Sequence, residues 1–111
     1  MKVKIQDYND VTVVEMQGEL DSDAAELFER NITDIVAQNK TNIVLDMSGV
    51  DFIDSRGLSV LLWVRDYCNQ NRRELRLAGL DENCTRILEI TRLDSEFDRY
   101  TELAEAVKSF A

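Results

Sequence analysis

The apolar residues of this chain recur at two periods, and each change of period marks an element. Val3 to Ile5 and Val11 to Met16 have the alternation and length of strands, and Tyr8-Asn9-Asp10 between them predicts a turn. Ala24, Leu27, Phe28, Ile32, Ile35 and Val36 then recur at helical spacing. Asp21 or Ser22 can cap that helix, which ends near Gln38-Asn39-Lys40. Ile43-Val44-Leu45-Asp46-Met47 is a short, mostly apolar run of the kind found in buried strands. Leu58 to Cys68 is as apolar but too long for a typical strand, so length predicts a helix, opened by Ser55 at the N-cap and running to about Asn69. Beyond the polar break Asn71-Arg72-Arg73, Leu75 to Leu80 predicts a strand. A helix follows from about Asn83 to Arg92, with Ile87, Leu88 and Ile90 as its apolar positions. Phe97 to Tyr100 adds a short edge strand, and Thr101 caps a last helix with Leu103, Ala104, Val107 and Phe110 facing inward.

The resulting order, β-β-α-β-α-β-α-β-α, predicts an α/β fold: a mixed sheet that begins with a strand pair and has about four helices packed against it. Right-handed crossovers limit how the later units can be wound. The chain has no proline, no internal repeat and no low-complexity linker, and 111 residues suit one core, so one domain is expected over residues 1–111.

Charge changes the picture by exclusion. With 13 basic and 22 acidic residues the formal net charge is -9, which disfavours a nucleic-acid partner and favours basic protein surfaces. Met1 to Gln6 alternates like a strand and lacks the apolar run of a signal peptide, and nothing approaches a membrane-spanning stretch, so a cytoplasmic protein without membrane insertion is expected. The chain has no histidine, which rules out a Ser-His-Asp triad within it, and its lysines Lys2, Lys4, Lys40 and Lys108 all lie far along the chain from Ser55. Gly18, Gly49, Gly57 and Gly79 are isolated, so there is no glycine-rich phosphate loop. Cys68 and Cys84 alone make a poor zinc site and read as reduced, buried thiols. These absences predict no metal, no cofactor and no turnover of GTP or ATP.

Candidate chemistry gathers at Asp51-Phe52-Ile53-Asp54-Ser55-Arg56-Gly57-Leu58, where a strand pattern stops and a helix opens. Taken alone, Ser55 is either a structural cap or a functional hydroxyl. Asp46 and Asp51 read as solvated or turn-capping acids. Turning about 100° per residue along the helix gathers Val60, Leu61, Val64, Tyr67 and Cys68 on a core side, with Leu58 at its margin. Ser55, Ser59, Leu62 and Asp66 fall opposite, and Arg56 and Trp63 share an adjoining edge. Leu62 and Trp63 are either buried by neighbouring loops or free to meet a partner, as outward aromatics often do.

Four segments in order, Gly18-Glu19-Leu20-Asp21, Ile43-Val44-Leu45-Asp46, Phe52 to Leu58 and Arg86 to Leu93, together resemble the STAS domains of bacterial anti-sigma factor antagonists (anti-anti-sigma factors) over nearly the whole chain. The resemblance implies partner switching. An anti-sigma factor serine kinase is sequestered while the serine after the motif aspartate is bare and released once it has phosphorylated that serine, and a PP2C-type phosphatase reverses the modification. By position the acceptor is Ser55, with Asp54, Arg56 and Gly57 beside it in the motif and Asp21 brought close by the fold. The outward face Ser59, Leu62, Trp63 and Asp66 is then the expected partner surface. Arg56 stands where the family often has a second hydroxyl residue, Arg92 where it has a glycine, and Asn71-Arg72-Arg73 where it has a glycine-rich break. Alternatives are a STAS subunit of a stressosome-like or lipid-transport assembly, and a receiver-like domain with Asp46 as acceptor. A phosphate on Ser55 would add about -1.5 to -2 charges. A helix N-terminus accommodates such charge, so the fold is expected to survive it.

Overall fold

The computed structural model describes residues 1–110, so Ala111, the last residue of the expected domain, lies outside the described residues. The elements are β1 (Lys2–Tyr8), β2 (Val11–Leu20), α1 (Ser22–Gln38), β3 (Asn42–Ile53), α2 (Ser55–Gln70), β4 (Leu75–Ala78), α3 (Glu82–Ile90), a single 3-10 turn (Asp94–Glu96), β5 (Asp98–Tyr100) and α4 (Leu103–Lys108). Their types and order match the expectation from the sequence pattern. The strands β2 and β3 are longer than expected. Both run past the end of their apolar runs, because pairing continues across two register shifts, between Glu15 and Gln17 and between Gly18 and Glu19. A bulge carries a ladder over residues that break the alternation.

The five strands lie in sheet order β1-β2-β3-β4-β5, with β1 antiparallel to β2 and every later neighbour parallel. In a sheet built strictly in chain order, right-handed crossovers place every connecting helix on the same side. Accordingly α1, α2 and α3 share one face and bury the main core with Val14, Met16, Ile43, Leu45, Met47 and Leu77 of the sheet. The opposite face carries α4, where Ala106 packs with Val11, Val13, Val44 and Ala78.

Several expected facings are corrected. Leu27 is 42% exposed, and its place in the core is taken by Ala25. One residue from Phe28 is a turn of about 100°, which carries Leu27 off the buried stripe. Ile90, the last residue of α3, is 73% exposed. In α4 the inward residue is Ala106 while Ala104 is exposed, and Leu103, Val107 and Phe110 are half-buried. Thr101 does not cap that helix. The N-cap position is Glu102, which makes no side-chain capping bond. The helix α3 begins a little earlier than expected, capped by Asp81, whose carboxylate accepts from the Cys84 N–H at 2.7 Å.

Two helix ends carry arginines in an unusual conformation. After α2, Arg72 has φ +59°, its N–H donates to the Asn69 carbonyl, and the Arg73 N–H reaches back to the Cys68 carbonyl. After α3, Arg92 has φ +62°, its N–H donates to Glu89, and the Leu93 N–H reaches Leu88. Both are Schellman closures, in which glycine suits the left-handed residue because it has no Cβ to crowd the backbone. Arg73 adds a second lock: its guanidinium donates to the carbonyls of Val36 and Asn39, satisfying acceptors left open at the end of α1. Arg92 is exposed. Arg92→Gly is therefore expected to raise stability by about 0.5–1 kcal/mol, since relief of the left-handed strain exceeds the extra chain entropy of glycine. Urea midpoints of parent and variant measure this, and an unchanged or lower midpoint would contradict it.

Candidate functional site

Because β2 and β3 are parallel and paired through Leu20 and Ile53, they end side by side. The next residue of each strand caps the following helix. The Asp21 carboxylate accepts from the Ala24 N–H at 3.0 Å, and the Asp54 carboxylate accepts from the Gly57 N–H at 2.8 Å. Two helix N-termini with their aspartate caps thus stand together at one end of the sheet. The backbone ties them further, since the Asp54 N–H donates to the Leu20 carbonyl at 3.2 Å.

This geometry corrects the expected cap. Ser55 is the first residue of α2, and the capping oxygen belongs to Asp54. Aspartate and serine both cap well, and the chain offers them consecutively. The consequence is chemical: Ser55 is exposed and its hydroxyl is released from capping. The hydroxyls of Ser59 and Ser48 are engaged. Ser59 Oγ donates to the Ser55 carbonyl at 3.0 Å, and Ser48 Oγ donates to the Asp46 carboxylate at 2.8 Å.

Gly57 explains how α2 comes so close to β2. A Cβ at this position would lie 2.1 Å from the Leu20 carbonyl oxygen and 3.0 Å from Ile53 Cγ2. Only a residue without a side chain lets the first turn of α2 rest on the end of β2. Arg56 reaches the other way, and its Nη2 lies 3.5 Å from Glu29 Oε1 on α1.

Along α2, Val60, Leu61, Val64 and Cys68 are buried as expected, while Tyr67 is only half-buried. Its ring lies parallel to that of Trp63, 4.8 Å between centroids, which draws it to the rim of the core. Ser55, Arg56, Ser59, Trp63 and Asp66 are exposed, and Leu62 is half-buried against the main core. Asp66 is paired with Arg65 at 3.0 Å, and Arg65 also bonds Glu96 at 2.6 Å. The outward face is therefore one continuous strip from the serine corner to Asp66. Two residues near it lie outside the expected partner face. Phe52 is 43% exposed at the end of β3. Strand alternation carried the signal, because Ile53 points inward and its neighbour must point out. Glu29 had no local signal, being 27 residues from Arg56.

Other candidates have structural roles. Asp46 is 8% exposed and accepts from both the N–H and the hydroxyl of Ser48. Asp51 is exposed, and its carbonyl accepts from Asn83. Cys68 and Cys84 are unpaired and buried. Burial pushes the Cys68 thiol up to about 11, and burial followed by the neighbouring Asp81 pushes Cys84 to about 12. Thiols so placed hold almost no thiolate at neutral pH and are poor nucleophiles. Among the described residues no group of three histidine, cysteine or acidic side chains could hold a metal ion, and no helix is long and apolar enough to cross a membrane.

Comparison with known proteins places these features in a wider set. Residues 2–106 match the family model described as the STAS domain. The anti-sigma-F factor antagonist RsfB of Mycobacterium tuberculosis is 34% identical over 92 residues, covering 72% of this chain and 75% of its own. An anti-sigma factor antagonist from Mycobacterium paratuberculosis has a solved structure that superposes with a TM-score of 0.86 at 27% identity, over 97% of this chain and 92% of that one. The Bacillus anti-sigma factor antagonist SpoIIAA in its unphosphorylated form gives a TM-score of 0.81 at 18% identity, over 98% and 96% of the two chains, a likeness of fold alone.

Proposed function

The chain belongs to the STAS domain family, among its anti-sigma factor antagonists, and from that premise we propose that it is a cytoplasmic, phosphorylation-controlled binding module. In this reading an anti-sigma factor serine kinase docks on the outward strip of α2, Ser59, Leu62, Trp63 and Asp66, while Ser55 is bare. Phosphorylation of Ser55 releases the kinase, and a PP2C-type phosphatase restores the binding state. The module works without cofactor, metal or turnover of its own, and residues 1–111 form one domain.

The observation that carries the reading is the division of labour at the corner: Asp54 holds the cap, so Ser55 stands exposed with its hydroxyl unengaged by capping. A modifying enzyme can take that oxygen without unpicking the first turn. The added phosphate meets the positive end of the helix and is tolerated by the fold. For a docked partner the same group is bulky and strongly charged, which favours release. Ser22 is the geometric counterpart on α1, behind its own cap Asp21, but Asp23 follows it where Arg56 follows Ser55. A phosphate on Ser22 would meet an acid, so Ser55 is the favoured acceptor. The solved forms of SpoIIAA, unphosphorylated and phosphorylated, add support by likeness of fold.

The test is to purify the tagged chain from its own host, identify the kinase that accompanies it, and map the modification by mass spectrometry. Partner affinity is then compared for the parent, the kinase-treated parent and Ser55→Ala. Ser55→Ala is expected to bind as the bare parent does and to lose no more than about 0.5 kcal/mol of stability, because no cap is removed. The phosphorylated parent is expected to bind at least about 100-fold more weakly, the scale of an unfavourable charge set into an interface. Phosphate found on Ser22, Ser48 or Ser59 instead, or equal affinity in all three forms, would remove Ser55 from the mechanism.

A further inference from the structure

We propose that Arg56 is a latch shared between Glu29 and the phosphate on Ser55, so that one modification on α2 also alters the charge presented by α1. The inference rests on the reading that Ser55 carries the phosphate. In the bare protein the Arg56 guanidinium meets Glu29 through one contact of 3.5 Å, with the arginine side chain 50% exposed and the glutamate 30% exposed. Single-contact ion pairs this exposed are weak, and little else holds the arm in place. Consecutive residues of a helix diverge by about 100°, so Arg56 does not face the serine by default, but its long, half-free side chain can turn back to the neighbouring first-turn position. The acids of the corner, Asp21 and Asp54, are already engaged as helix caps.

Phosphate is the stronger claimant. It brings up to two negative charges and three acceptor oxygens against the single charge of a carboxylate. The planar guanidinium fork matches it in two-pronged geometry. Once Arg56 moves, the carboxylate of Glu29 is left without its cation on the surface of α1. Phosphorylation then adds charge at Ser55 and uncovers charge at Glu29, enlarging the altered surface from one helix to two. The latch is specific to a chain with arginine directly after the acceptor.

The test uses the full chain with phosphoserine genetically encoded at position 55, which makes it independent of any kinase. Whether a kinase modifies Ser55 is decided separately by phosphosite mapping, so the two readings can fail separately. The second ionisation of the phosphate, near pH ~6 in isolation, is followed by phosphorus-31 NMR in the parent, Arg56→Ala, Glu29→Gln and the double variant. An approaching arginine favours the dianion, so the parent midpoint is expected roughly half a pH unit below that of Arg56→Ala. Glu29→Gln removes the competitor and is expected to lower the midpoint further. In the Arg56→Ala background the same substitution should have a clearly smaller effect, leaving only its direct influence on the phosphate. Equal midpoints in the parent and Arg56→Ala would overturn the latch. So would a Glu29→Gln shift of the same size with and without Arg56.

Discussion

Gly57→Ala is expected to lower stability by about 2 kcal/mol, although alanine is the better helix former. Helix propensity alone would favour alanine by about 1 kcal/mol. Against this stands a Cβ placed 2.1 Å from the Leu20 carbonyl oxygen, a backbone atom that cannot swing aside. Relieving such an overlap moves whole elements and costs about 3 kcal/mol, so the clash outweighs propensity. The same carbonyl accepts the Asp54 N–H, so backing α2 away also strains the junction that positions Ser55. Denaturant unfolding of the parent and variant gives the sign directly. A stabilised Gly57→Ala would mean that α2 does not rest on the end of β2, and the account of the corner would fall with it.

Trp63→Ala is expected to weaken binding of the anti-sigma factor by at least about 2 kcal/mol, roughly 30-fold, at a stability cost near 1 kcal/mol. Trp63 is 36% exposed, and its main described contact is the parallel ring of Tyr67. A stacked aromatic pair contributes ~0.5–1.5 kcal/mol, whereas truncating a core tryptophan costs ~3–5 kcal/mol. Unfolding and affinity measured on the same preparation separate the two roles. A loss at the core scale would make Trp63 a packing residue, and unchanged affinity would take it out of the docking strip.

Most of the fold was legible because its periods are clean. The change from strand to helical spacing marked every main element, and the buried side of α2 followed from a turn of 100° per residue. The misreadings have local causes. At Asp54-Ser55 two good capping residues adjoin, and only the register of Gly57 against the Asp54 carboxylate decides between them. Leu27 and Ile90 are apolar residues beside a buried stripe, and spacing alone does not tell its margin from its centre. The lengths of β2 and β3 were hidden because bulges carry pairing through Gln17, Gly18, Ser48 and Gly49, which look like loop residues. At the candidate site, the outward facing of Ser55, Ser59 and Asp66 could be read from the chain. The ion pair to Glu29 and the contact that forbids a side chain at Gly57 join distant segments, so they become visible only in three dimensions.

The chain-ordered sheet has a consequence for biosynthesis. As the polypeptide leaves the ribosome, each new strand of β2 to β5 finds its neighbour already made, because every strand pairs with its immediate predecessor. No early strand has to wait for a distant one to pair with, and short-range closures of this kind are the less costly ones to make. Both caps, Ser55 and the helix that bears the outward strip lie within residues 1–70. This corner is thus translated before β4, β5 and α4, which arrive to seal the far edge of the sheet and cover its second face.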